Sequence, residues 1–173
     1  MKKVGLKRGT VVVVPHNSAW AKEFEKEKKC ILRACGKNNV AVEHIGSTSV
    51  PGLVAKPIID IAVGVTRLKD AKMLIKPLAK IGYHFYRINR YEVFFAKGPD
   101  SCRTHYIHAV RYKGVKWQTD LRIRNYLRTH PKEIIRYAKL KENLARKYAS
   151  DRYAYTAEKD TYIKSIIAKA KNI

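Results

Sequence analysis

Acidic side chains are scarce in this 173-residue chain: 14 Asp and Glu stand against 37 Lys and Arg, a formal net charge of +23. That scarcity excludes an acidic solvating tail, and it makes every carboxylate inside a structured segment a residue to account for. Long apolar runs are missing too. No stretch approaches the roughly 18 apolar residues of a membrane span, and the run Val11–Val14 near the basic start is too short for the core of a secretory leader. Cysteine is sparse and odd in number, with Cys30, Cys35 and Cys102 lacking metal-ligand spacing, so idle thiols are expected in place of a disulfide framework. Internal repeats, low-complexity tracts and Gly/Ser linkers are absent as well. The expectation is a cytosolic chain with no membrane partner, forming one domain over residues 1–173.

What is present is enough for a core. Hydrophobic residues make up 46% of the chain, including 11 Tyr, 4 Phe and 2 Trp, which excludes a disordered basic protein. The positive excess is spread out: +7 over residues 1–40, +5 over 41–110 and +11 over 111–173. Such a surface concentrates anionic metabolites and binds nucleic acid non-specifically at low salt, but it does not define a fold.

Val11–Val14 reads as a short β run stopped by Pro15. Asn17 or Ser18 caps a helix with Trp20, Phe24, Ile31 and Cys35 on one face and Gly36 at its end. Val40–Ile45 alternates as a strand, 46–56 is a small-residue loop with room for a helical turn, and Pro57–Val65 reads as a central strand buried on both faces. Thr66 is expected to cap a helix that Pro77 divides. Tyr83–Ile88 and Tyr91–Lys97 suggest a hairpin about Asn89-Arg90, and His105–Arg111 is a further strand. From Trp117 the period is helical, with breaks near Pro131 and at a third helix capped by Thr156. The fold class is therefore α+β: a mixed sheet flanked by helices over residues 11–111, then C-terminal helices over 117–173.

The chemistry concentrates in EHIGSTSVPGLVAKPIIDI, residues 43–61. A strand ending in Gly46-Ser47-Thr48 and opening a short helical turn presents amides and hydroxyls to an anion such as phosphate, and Lys56 supplies a cation nearby. Gly46-Ser47 also reads as an ordinary turn. Asp60 stands roughly a dozen residues past Ser47 within an apolar strand, so it must be paired, metal-bound, or open to a cleft.

These segments, with VVVVPHNSAWAKEFEKE, RTHYIHAV, YLRTHPKEIIRYAKLKENLA and DRYAYTAEKDTYI, resemble the GrpB-like family of predicted nucleotidyltransferases along essentially the whole chain. The resemblance implies a nucleotidyltransferase-type fold, found in some relatives as an extension of dephospho-CoA kinase. It also implies Gly-Ser followed by a carboxylate–apolar–carboxylate couplet that chelates metals. Here Asp60 fits the couplet, but its partner position is Ala62 or Ile58. Glu43 is a substitute metal ligand; His105 and His108 are candidate catalytic bases or nitrogen ligands. Arg103 is a candidate phosphate clamp, and Lys97 and Lys159 are anion contacts where the family pattern carries a basic residue. On a regular strand Arg103 and His105 share a face and His108 points to the other. Asn125 stands where the family commonly has Asp.

Three functions follow. The first is a nucleotidyltransferase with a nucleoside triphosphate on Gly46-Ser47 and a divalent metal, Mg²⁺, on Asp60. The second is a non-catalytic module for a nucleotide or CoA-type ligand. The third is RNA binding, suggested by the basic and tyrosine-rich C-terminal helices and weakened because the positive excess runs along the whole chain.

Overall fold

The computed structural model describes residues 4–38 and 41–170. Its centre is a five-stranded mixed sheet made by β1 (Ala41–Ile45), β2 (Ile59–Val65), β3 (Tyr83–Ile88), β4 (Glu92–Lys97) and β5 (His105–Arg111), in the order β1-β2-β5-β4-β3. The central pair, β2 with β5, is parallel, and the remaining pairs are antiparallel. Five helices flank it: α1 (Ala19–Cys35), α2 (Ile75–Lys80), α3 (Val115–Thr129), α4 (Pro131–Lys147) and α5 (Arg152–Ala170). Val40, expected to open the first strand, lies outside the described residues.

Alternation along the strands sorts the two faces. Ile59, Ile61, Val63 and Val65 of β2 join Val93, Phe95, Ile107 and Ala109 in a core with Trp20, Phe24 and Ile31 of α1 and Leu78 of α2. Each such aliphatic side chain, once removed from water, contributes about 1.5–3 kcal/mol. The opposite face carries Asp60 and Ala62, Tyr106 and His108, Glu92 and Phe94. It receives the C-terminal helices. Tyr126, Leu127, Tyr137 and Ile166 form a second core there with Val50 and Leu53.

Local chemistry sets the boundaries. Asn17, and not Ser18, caps α1 through its Oδ1, which accepts the Ala19 amide at 2.9 Å. Val11–Val14 makes no strand. Val11 donates once to Ala149, and Val14 exchanges two bonds with Ala55 in an isolated bridge. The segment after β2 begins as a 3₁₀ helix over Leu68–Leu74, capped by Arg67 with Asp70 in place of Thr66, and becomes α2 at Ile75. Pro77 then falls in the first turn of α2, where a missing amide costs little. Asp151 caps α5, its Oδ1 accepting the Tyr153 and Ala154 amides at 3.0 Å, so that helix starts ahead of Thr156. Asn89 closes the β3–β4 turn in the same way, accepting Tyr91 and Glu92 amides.

Candidate functional site

At the end of β1 the chain turns at Gly46 with φ 68°, and a 3₁₀ turn follows over Ser47–Ser49. The register pairs Ile45 with Asp60, which brings the start of β2 against this turn. A Cβ on Gly46 would stand 2.6 Å from Asp60 Oδ2. Only glycine accepts both that conformation and that neighbour. Ile59 and Ile61 face the helical core, so Asp60 projects to the other side, where its side chain keeps 32% of its exposure.

His108 of β5 lies on the same face. Its Nε2 is 3.5 Å from Asp60 Oδ1, and its Nδ1 is 2.7 Å from Glu92 Oε2 on β4. Burial alone would lower the His108 pKa, but hydrogen bonds and charges from the two carboxylates push it up to about 9. With its pKa at about 9, His108 is an imidazolium at neutral pH, donating to Glu92 and ion-paired with Asp60. Burial works against an ionised Glu92, yet His108, Lys116 and Arg87 hold it down at about 2. Asp60 is likewise held below its ordinary value: burial opposes the charge, and His108, Lys56 and Lys159 outweigh burial.

Around this row opens a cleft of about 390 Å³ between the sheet and α3, α4 and α5, bounded by Gly46, Ser47 and Lys56 on one side and Lys141, Lys159 and Arg152 on the other. The lysines crowd one another. Lys56 is pulled down to about 7, first by burial and then by Arg152 and Lys159. Lys159 is lowered by burial and Arg152, and Lys141 by burial, Lys159 and Lys56. Asp60 is the carboxylate that acts on all three in the opposite sense. Lys56 and Lys159 sit 5.3 and 5.4 Å from the ring centre of Tyr155, and Lys141 donates to the Val54 carbonyl.

The structure thus brings together Gly46, Ser47, Lys56, Asp60, His108 and Lys159. It separates the others. Thr48 borders the cleft, but its hydroxyl pairs with His44 Nε2 at 3.0 Å. Glu43 faces the same side as Ala62, where Arg124 takes it at 2.7 Å. His105 and Lys97 point to the helical core: His105 bonds Thr104 at 3.0 Å, and Lys97 pairs with Glu27 at 2.9 Å. Alternation on β5 is the reason His105 and His108 do not serve one site. Arg103 caps the Gly98 carbonyl and pairs with Asp100 beside an adjoining groove. Asn125 accepts from Arg124 Nε.

The residues present do not fit a two-carboxylate metal centre. Ala62 is fully buried among Ile45, Val110 and Trp117, and Ile58 packs with Phe94 and Tyr106. The cation at Asp60 is His108 itself, and among the described residues no group of three His, Cys, Asp or Glu is placed to hold a metal ion.

Sequence reasoning missed Glu92 and Lys141. For Glu92 a signal existed: a lone acid opening the apolar run EVFFA carries the same burial problem as Asp60. Lys141 reads as an ordinary helical lysine, and only the packing of α4 on the Val54 loop reveals it.

Residues 10–169 match the protein-family model described as GrpB protein. The "Glutamate-rich protein GrpB" of Alkalihalophilus pseudofirmus is 37% identical over 172 residues, covering 95% of this chain and 98% of that protein. The crystal structure of the conserved protein GrpB from Enterococcus faecalis superposes with a TM-score of 0.84 at 34% identity, over 92% of this chain and 96% of that one. Cid1, in complex with its short product ApU, aligns with a TM-score of 0.53 at 13% identity, over 78% of this chain and 43% of that one. This last likeness concerns the fold alone. Among the described residues no helix is long and apolar enough to cross a membrane.

Proposed function

The chain belongs to the GrpB family and has a nucleotidyltransferase-like fold, and from that premise we propose that its cleft binds a phosphate-bearing small molecule of the nucleotide class without a metal on Asp60. One observation carries this reading: Lys56, Lys141 and Lys159 converge with Arg152 on a cleft where burial first, and then neighbouring positive charge, works against their protonation. Holding like charges together in a half-buried site is unfavourable, and a bound polyanion relieves it. Tyr155, buried beneath Lys56 and Lys159, has a hydroxyl with no hydrogen-bond partner among the described residues. His108 supplies the fixed positive charge next to Asp60, oriented by Glu92. His108 can thus help to orient a phosphate while keeping its own proton near neutral pH, and Lys56, at about 7, takes up a proton as the anion arrives.

A second reading, nucleotidyl transfer, is favoured by the contact of Asp60 with the Gly46 turn, the juxtaposition that the family resemblance attaches to that chemistry. Calorimetric titration with ATP separates the two. The binding reading expects equal affinity with Mg²⁺ and with chelator, and about tenfold or greater weakening in Lys159→Met, as loss of one charge-assisted contact implies. Binding that requires Mg²⁺ and vanishes in Asp60→Asn would overturn it in favour of transfer.

A further inference from the structure

A second cavity, about 610 Å³, adjoins the cleft and shares Arg87, Phe94, Tyr106 and Arg152 with it. It runs along the β4–β5 surface between the Arg8–Gly9 segment and the start of α5. Its lining pairs guanidinium groups with aromatic rings. Tyr86 has Arg8 5.5 Å from its ring centre and Arg103 at 4.8 Å; Arg87 stands 4.2 Å from Phe94, and Arg152 5.4 Å from Tyr106. Tyr153 completes the rim at 90% exposure, with no packing role to explain it.

The carboxylates do not cancel this charge. Asp100 is shared by Arg8 on Oδ2 and Arg103 on Oδ1, and Oδ1 also accepts from the Tyr86 hydroxyl. Asp151 caps α5, and Arg87 pairs with Glu92. The Arg152 guanidinium donates to the Tyr106 hydroxyl at 3.2 Å and has no carboxylate partner among the described residues. A surface that alternates positive charge with flat rings fits a ligand that alternates phosphate with flat rings. The cavity is sized for small ligands and single strands, and a duplex would keep its bases away from the rings.

We propose that this groove binds single-stranded nucleic acid, with the strand running toward the cleft. The proposal goes beyond the nucleotide reading and stands on a different cavity, so either can fail alone. Duplex binding and binding of any polyanion are the competing outcomes, since the +23 surface attracts both.

The test is fluorescence anisotropy with a labelled ten-nucleotide single strand of mixed sequence, in about 200 mM salt, where diffuse attraction fades. Arg8→Glu is expected to weaken binding about tenfold, with Arg8→Ala giving a smaller loss in the same direction. Tyr153→Ser should weaken it about fivefold without changing charge. Lys22→Glu, on the exposed face of α1, changes the net charge as much as Arg8→Glu does and is expected to leave binding nearly intact. The proposal is overturned if Lys22→Glu weakens binding as much as Arg8→Glu, or if Tyr153→Ser has no effect. Equal affinity for a ten-base-pair duplex or a polyglutamate peptide would overturn it too. ATP titration of the same variants reports on the cleft separately.

Discussion

On the face of the sheet covered by α1 and α2, Lys97 and Glu27 close an ion pair at 2.9 Å, while burial keeps His44 and His105 neutral. On the face toward α3, α4 and α5, His108 is charged, clamped between Asp60 and Glu92, and three lysines gather on the cleft around Asp60. The two faces use the same residue types. They differ in whether polarity is balanced in place. The closed face cancels its charges, which is what a packed interior demands. The cleft face leaves a positive surplus around an open volume, and a surplus of this kind is stable only where water or a ligand can reach it.

Removing one acid from each face should break the comparison most sharply. Glu92 is buried and joins His108, Arg87 and Lys116. Glu92→Ala leaves His108 under-compensated in the interior, and a loss of about 3–5 kcal/mol is expected. Glu27→Ala frees Lys97, whose side chain is 28% exposed and can hydrate, so about 1–3 kcal/mol is expected. Urea denaturation of both variants measures the difference. Equal losses would mean that the cleft face is no more dependent on its charges than the core.

Much of this contrast was readable beforehand, and its limits are instructive. Alternation along His105–Arg111 already placed His105 and His108 on opposite faces, because side-chain direction in a strand follows a period of two. The burial problem of Asp60 pointed to a partner or a cleft, and the structure supplies both. Glu92 and Lys141 were not assigned because their roles depend on which strand neighbours β5 and where α4 lands. Those are matters of register and packing between segments far apart in sequence. Glu43 illustrates the reverse: its face was right for the cleft, and a helix residue, Arg124, claimed it.

The histidines give the next test. The pKa of His108, raised to about 9, means that its stabilising contribution is complete below its ordinary value of 6.5 and is lost as pH rises through 9. His44 behaves oppositely. Burial lowers it to about 4, so between pH 6.5 and 4 the unfolded chain takes up a proton that the folded chain refuses. Stability therefore falls across that window as pH drops, on the order of 2 kcal/mol. Imidazole resonances followed by NMR should show His108 cationic at pH 7.5 and His44 neutral at pH 5.5. A His108 that titrates near 6.5 would remove the charge asymmetry between the faces.

The smallest expected effect concerns a residue that touches both regions. Thr48 borders the cleft through its place in the 3₁₀ turn, but its hydroxyl is committed to His44, which stacks on Phe24 of α1 with ring centres 4.7 Å apart. Thr48→Val keeps the shape and removes that hydrogen bond. With His44 left short of a partner in the closed face, about 1 kcal/mol of stability should be lost. The turn backbone remains, so any change in ATP affinity should be small beside that of Lys159→Met. Chemical denaturation and calorimetry on one preparation give both values. If affinity falls while stability holds, the Thr48 hydroxyl serves the cleft, and the division between the faces runs through this turn rather than beneath it.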